Sequence, residues 1–118
     1  MNQHEKINYV EFPCGNLALT KTFFEKAFGW TFEDYGPEFT AFSNEGLDGG
    51  FYQSDKISST ETGAALVVFY SDNLEATQVK VEAAGGLIVK PIFAFPGGRR
   101  FQFTEPSGNE FAVWSGDS

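Results

Sequence analysis

Basic residues are scarce in this chain of 118: 8 Lys and Arg stand against 16 Asp and Glu, for a net charge of −8. Nucleic acid and anionic membrane surfaces both recruit Lys and Arg, so neither is expected as a partner. Cysteine occurs once, at Cys14, which excludes an internal disulfide and suits a reducing, cytoplasmic setting. Histidine also occurs once, at His4, within a polar opening, Met1 to Lys6, that lacks the apolar stretch of a signal peptide. Long hydrophobic runs are missing; the longest, Ala64 to Tyr70, is far too short to span a bilayer.

Aromatic side chains are what the sequence has in quantity: 14 Phe, 4 Tyr and 2 Trp. Phe has no polar handle to favour exposure, so most of these rings belong to a core, and the remainder can line a pocket. The length suits one domain, residues 1–118, that folds without staples.

Ile7 to Phe12 reads as a strand with Val10 and Phe12 on one face and Tyr9 and Glu11 on the other, broken by Pro13-Cys14-Gly15. Asn16 caps a helix from Leu17 to about Phe28, which places Phe23, Phe24, Ala27 and Phe28 on one face and stops at Gly29. Short strands are expected at Trp30 to Tyr35, Phe39 to Ser43 and Gly50 to Gln53, followed by a polar loop from Ser54 to Gly63. The pattern then restarts. Ala64 to Tyr70 is a strand and Asp72-Asn73 caps a helix to Ala84. Strands follow at Leu87 to Val89, Ile92 to Phe95, Arg100 to Thr104 and Glu110 to Trp114. Pro91 implies an edge or irregular course. The Pro106-Ser107-Gly108-Asn109 segment turns the chain between the last two strands.

The two helix openings, Asn16-Leu17 and Asn73-Leu74, are offset by about 57 residues, an internal repeat of β-α-β-β-β units. The expected fold is α+β: two βαβββ modules, about 5–54 and 63–116, forming curved mixed sheets around a cavity. A helix covers one face of each sheet and leaves the other for a ligand.

Tyr9-Val10-Glu11-Phe12-Pro13, Phe23-Phe24-Glu25-Lys26-Ala27-Phe28-Gly29-Trp30, Ala83-Ala84-Gly85-Gly86 and the Thr104-Glu105-Pro106-Ser107-Gly108-Asn109 turn, together with Phe32-Glu33-Asp34, carry a resemblance. The chain resembles the vicinal-oxygen-chelate superfamily of glyoxalase I, bleomycin-resistance proteins and extradiol dioxygenases. It looks most like the small glyoxalase-like branch related to lactoylglutathione lyase. The resemblance implies a divalent metal on His, Glu or Gln side chains of the central strands, and a homodimer. The corresponding positions fall on Tyr9, Leu66, Ala112 and the neighbourhood of Gly50 or Tyr52. Leu and Ala cannot ligate and a neutral Tyr is a poor ligand, so no metal and no other cofactor is expected.

Strand alternation gives a ligand-facing set independently: Tyr9, Glu11, Glu110, Ala112 and Trp114, with Leu66 and Val68 joining by register with the implied ligand position. Glu11 is the candidate catalytic residue, because an acid between apolar neighbours is desolvated and suited to proton transfer. The alternative for it is a purely structural hydrogen bond. Glu110, beside the turn, is expected to be solvated. Trp30 is expected in the core. Arg99-Arg100 either clamps an anion or points to solvent. Cys14 lacks a histidine partner for nucleophilic catalysis, and Gly97-Gly98 does not lead a strand into a helix as a phosphate loop does. The expected function is metal-free binding of a small aromatic or cationic molecule in an aromatic cavity. The alternatives are a glyoxalase-like lyase or isomerase or a related metal-dependent enzyme, or a purely structural domain.

Overall fold

The structure, a computed structural model, describes residues 2–116; Met1 of the polar opening and Asp117 and Ser118 lie outside the described residues. The first unit runs β1 (Tyr9–Cys14), α1 (Leu17–Phe28), β2 (Phe32–Asp34), β3 (Phe39–Phe42) and β4 (Asp48–Gln53). The second runs β5 (Val67–Tyr70), α2 (Leu74–Ala83), β6 (Leu87–Phe95), β7 (Gly98–Thr104) and β8 (Glu110–Gly116). The sheets have the orders β1-β4-β3-β2 and β5-β8-β7-β6. β1–β4 and β5–β8 pair in parallel and the remaining neighbours are antiparallel. The expected α+β fold of two βαβββ modules is therefore present, with mixed sheets that do not close into a barrel. Among the described residues no helix is long and apolar enough to cross a membrane.

Both helices start as the sequence predicts. The Asn16 and Asn73 side chains accept hydrogen bonds from Leu19 N and Ala76 N at 3.0 and 3.1 Å. Gly29 ends α1 in the left-handed region (φ 72°), where a side chain is disfavoured. α1 buries Thr20, Phe23, Phe24 and Ala27, while Phe28 is only partly covered. Phe24 stacks on Trp30 at 4.4 Å and meets Phe51 of β4 at 5.6 Å. The same rings cross between modules: Phe12 meets Phe111 at 5.0 Å, Phe23 meets Phe103 at 5.7 Å and Phe28 stacks on Phe69 at 4.6 Å. One aromatic core thus serves both sheets, and truncating any of its buried rings to Ala costs about 3–5 kcal/mol.

A polar latch completes the join. The buried Glu105 carboxylate accepts from Thr20 Oγ1 and Ser107 N, both at 2.7 Å, and from Asn109 Nδ2 at 2.8 Å. Asn109, also buried, donates to the Pro13 carbonyl at 2.7 Å and accepts from Ser58 N at 2.8 Å. Ser107 Oγ accepts from Asn16 N at 3.1 Å. The turn between β7 and β8 is therefore fastened to the start of the first module.

Several boundaries differ from expectation. β1 continues through Pro13 and Cys14, because it is an edge strand bonded only to β4, where a missing N–H is tolerated. Leu66 precedes β5 and does not belong to it. The two segments expected around Pro91 form one edge strand, β6, with register shifts between Ile88 and Lys90 and between Lys90 and Phe93. The polar loop holds a short 3-10 turn, Thr60–Thr62.

Candidate functional site

α1 and α2 cover one face of each sheet, so the other face is open. Strand register arranges the open side chains in rows. In the first module Glu11, Gly50, Ala41 and Glu33 lie side by side across β1, β4, β3 and β2. A depression of about 470 Å³ sits here, lined by Tyr9, Glu33, Tyr35, Ala41 and Ser43 among others. In the second module one row is Val68, Ala112, Gln102 and Lys90, and the next is Tyr70, Trp114, Arg100 and Phe93.

The predicted ligand-facing residues split between these two faces. Tyr9 and Glu11 meet on the first, where Tyr9 Oη donates to Glu11 Oε2 at 2.8 Å. Partial burial, that bond and the adjacent negative charge push the Tyr9 phenol up to about 12. Glu11 is exposed, so the desolvation expected from its strand neighbours is absent in the single chain. Val68, Glu110, Ala112 and Trp114 share the second face, Ala112 fully buried and Val68 exposed, and Leu66 leads into it half-buried. Among the described residues no hydrogen bond, ion pair or aromatic contact joins the two sets.

Glu110 reverses its expected solvation. It is 7% exposed. Its Oε1 accepts from Thr60 N and Thr60 Oγ1, both at 2.8 Å, and its Oε2 accepts from Gln102 Nε2 at 2.6 Å. Burial pushes its carboxyl up, but these donors and the Lys90 charge outweigh burial and leave it below the usual range. Gln102 accepts in turn from Arg100 Nη2 at 3.1 Å. The Arg100 guanidinium carbon lies 5.4 Å from the Phe93 ring centre and 6.0 Å from that of Phe95. Thr60, Lys90 and Gln102 escaped the sequence reading, which named Arg100 only together with Arg99, as an anion clamp or a solvent-facing pair. The alternation around buried Phe101 and Phe103 held the signal for Arg100 and Gln102; Thr60 has none, because it arrives from a distant loop.

A smaller apolar cleft of about 170 Å³ lies between the modules, walled by Val10, Phe12, Trp30, Phe42, Val67 and Phe69 among others. That is below the roughly 300–1,000 Å³ of small-molecule pockets, so the open faces offer the larger candidate surface.

The residues at the positions implied for a metal do not fit one. Tyr9 is held as a neutral phenol, and Leu66 and Ala112 carry no donor. At Gly50 the Phe39 ring lies where a side chain would start, so that a Cβ there would overlap it. Among the described residues no three His, Cys, Asp or Glu side chains cluster as a metal site, and His4 is exposed beside Glu5.

Solved structures with this architecture include a glyoxalase-related enzyme from Fulvimarina pelagi (TM-score 0.78, 17% identity, 94% of this chain and 88% of that one). They also include the fosfomycin resistance protein FosX from Listeria monocytogenes (TM-score 0.79, 16% identity, 98% and 93%). At such identities the likeness is one of fold. By sequence the chain is 29% identical to the anthracycline biosynthesis protein DnrV of Streptomyces peucetius over 117 residues, covering 84% of this chain. It spans 42% of the length of that curated relative. Residues 6–113 match the model of one family, and with the two βαβββ modules they establish that the chain belongs to the Glyoxalase/Bleomycin resistance protein/Dioxygenase superfamily.

Proposed function

We propose that this chain is a small-molecule-binding member of the superfamily that works without a bound metal and takes up an aromatic molecule on its open sheet faces. The observation that carries the reading is the exposure of large apolar side chains on those faces: Tyr9 45%, Tyr52 39%, Val68 40% and Tyr70 59%. A sheet face that stayed bare in water would carry polar residues there. Similarity to a protein named for anthracycline biosynthesis favours an aromatic ligand.

The same faces support a homodimer. The first module's open face bears Glu11 and Glu33, and the second bears Lys90, so a face of one chain complements the other face of a second copy. The single free thiol, Cys14, favours the cytoplasm. Metal analysis after dialysis against metal-free buffer tests the reading, together with light scattering at micromolar concentration. No retained metal and a dimer are expected. Near-stoichiometric metal, or a monomer whose tryptophan fluorescence no aromatic compound quenches, overturns it.

The Tyr9–Glu11 bond favours a second reading, a lyase or isomerase of the glyoxalase type with Glu11 as the proton-transfer group. In that case Glu11→Gln abolishes turnover and leaves the affinity for a neutral ligand unchanged.

A further inference from the structure

We infer that Arg100 is an anion anchor on the open face of the second module, and that the ligand is an aromatic carboxylate held there by its acid group. This rests on the reading of the open faces as the binding site and specifies the chemistry they select.

Two adjacent arginines show the contrast. Arg99 points to the helix side, where Nη1 and Nη2 grip the Glu75 carboxylate at 2.7 and 3.2 Å and the charge is neutralised. Strand alternation turns Arg100 to the opposite face. There no carboxylate of the described residues lies within ion-pair distance of it. A guanidinium has five N–H donors. Among the described residues Arg100 finds one acceptor, the neutral Gln102 Oε1, and its Nε is buried without a partner. Glu110, the nearest acid along that chain of bonds, is engaged by Gln102 and Thr60 and makes no bond to Arg100. The charge is thus held in place by the Phe93 and Phe95 rings and by Gln102, and left without a counter-ion.

A planar fork of this kind matches a carboxylate with two parallel bonds. What surrounds it is flat and apolar. Trp114 is the cross-strand neighbour of Arg100, Tyr70 meets Trp114 at 5.2 Å and Phe95 meets it at 6.3 Å. Lys90, on the next row, adds a second positive charge. An anionic group at Arg100 therefore directs an aromatic body across Trp114. The local charge favours an anion over the cationic alternative, because binding responds to the groups facing the ligand.

Matched aryl carboxylates and their primary amides, benzoate with benzamide and 1-naphthoate with 1-naphthamide, test this on the full chain by tryptophan quenching, with Trp114→Phe assigning the signal. Far-UV circular dichroism confirms that each variant is folded. The wild type is expected to prefer each carboxylate over its amide by about 10- to 100-fold, the range of a charge-assisted hydrogen bond. Arg100→Gln is expected to erase the preference, Arg100→Lys to keep part of it, and Arg99→Gln to leave it intact. Equal binding of acid and amide, or a preference that survives Arg100→Gln, overturns the anchor while the open-face site stands. Absence of any Trp114 signal from all four compounds overturns both.

Discussion

Replacing Asn109 with Ala tests the claim that a polar latch, and not only the aromatic core, joins the two modules. Asn109 is fully buried and makes three bonds, to the Pro13 carbonyl, the Glu105 carboxylate and Ser58 N. A buried group left without its partner costs about 1–3 kcal/mol. The Glu105 oxygen is deep and carries a full penalty, whereas Pro13 and Ser58 are partly buried and water replaces some of the loss. One full and two reduced penalties come to about 3 kcal/mol. For a domain of this size that lowers Tm by about 10 °C. Urea and thermal unfolding followed by circular dichroism measure it, and the urea m-value should stay constant, because the latch does not alter the surface exposed on unfolding. A loss below about 1 kcal/mol would mean that solvent reaches these groups freely and that the latch contributes nothing beyond ordinary surface bonds.

Two carboxylates should give the stability curve opposite slopes. Burial pushes Glu105 up against the donors from Ser107, Thr20 and Asn109, so its contribution is full below pH 4.5 and is lost as pH rises through its folded value. Glu110 is held below the usual range, so its contribution is present above pH 4.5 and lost as pH falls through its folded value. Unfolding from pH 3 to 8 should show each slope removed by Glu105→Gln and Glu110→Gln respectively; an unchanged curve in either variant refutes that assignment. Cys14, fully buried and bonded to Thr20 Oγ1 at 3.2 Å, should resist thiol reagents in the native protein. Its labelling should accelerate in Asn109→Ala as opening becomes easier, and rapid labelling of the wild type would contradict its burial.

Caps, periodicity and the repeat made the architecture legible, because each is written in nearby residues: Asn16 and Asn73 at the helix starts, Gly29 at an end, Phe23, Phe24 and Ala27 on one face. Pro13 misled because its effect depends on whether β1 lies at a sheet edge, which is a matter of tertiary order. The candidate site was half legible. Alternation correctly grouped Tyr9 with Glu11 and Glu110 with Ala112 and Trp114. It did not show that Glu110 would be buried, since Thr60 comes from a loop 50 residues earlier. Nor did it separate Arg99 from Arg100, whose fates diverge only through Glu75 of α2 and the β7–β8 register.

The latch also constrains the order in which the protein can be made. Thr20, Pro13 and Asn16 leave the ribosome early, yet their partners at 105–109 come more than eighty residues later. Phe12 and Phe24 likewise wait for Phe111. The first βαβββ unit therefore cannot finish folding while it is the only part synthesised. Its unpaired polar groups and bare rings stay available to chaperones or to neighbouring nascent chains until the final hairpin arrives. A stop in translation before that hairpin leaves a fragment with well-capped helices and no means of closing its core.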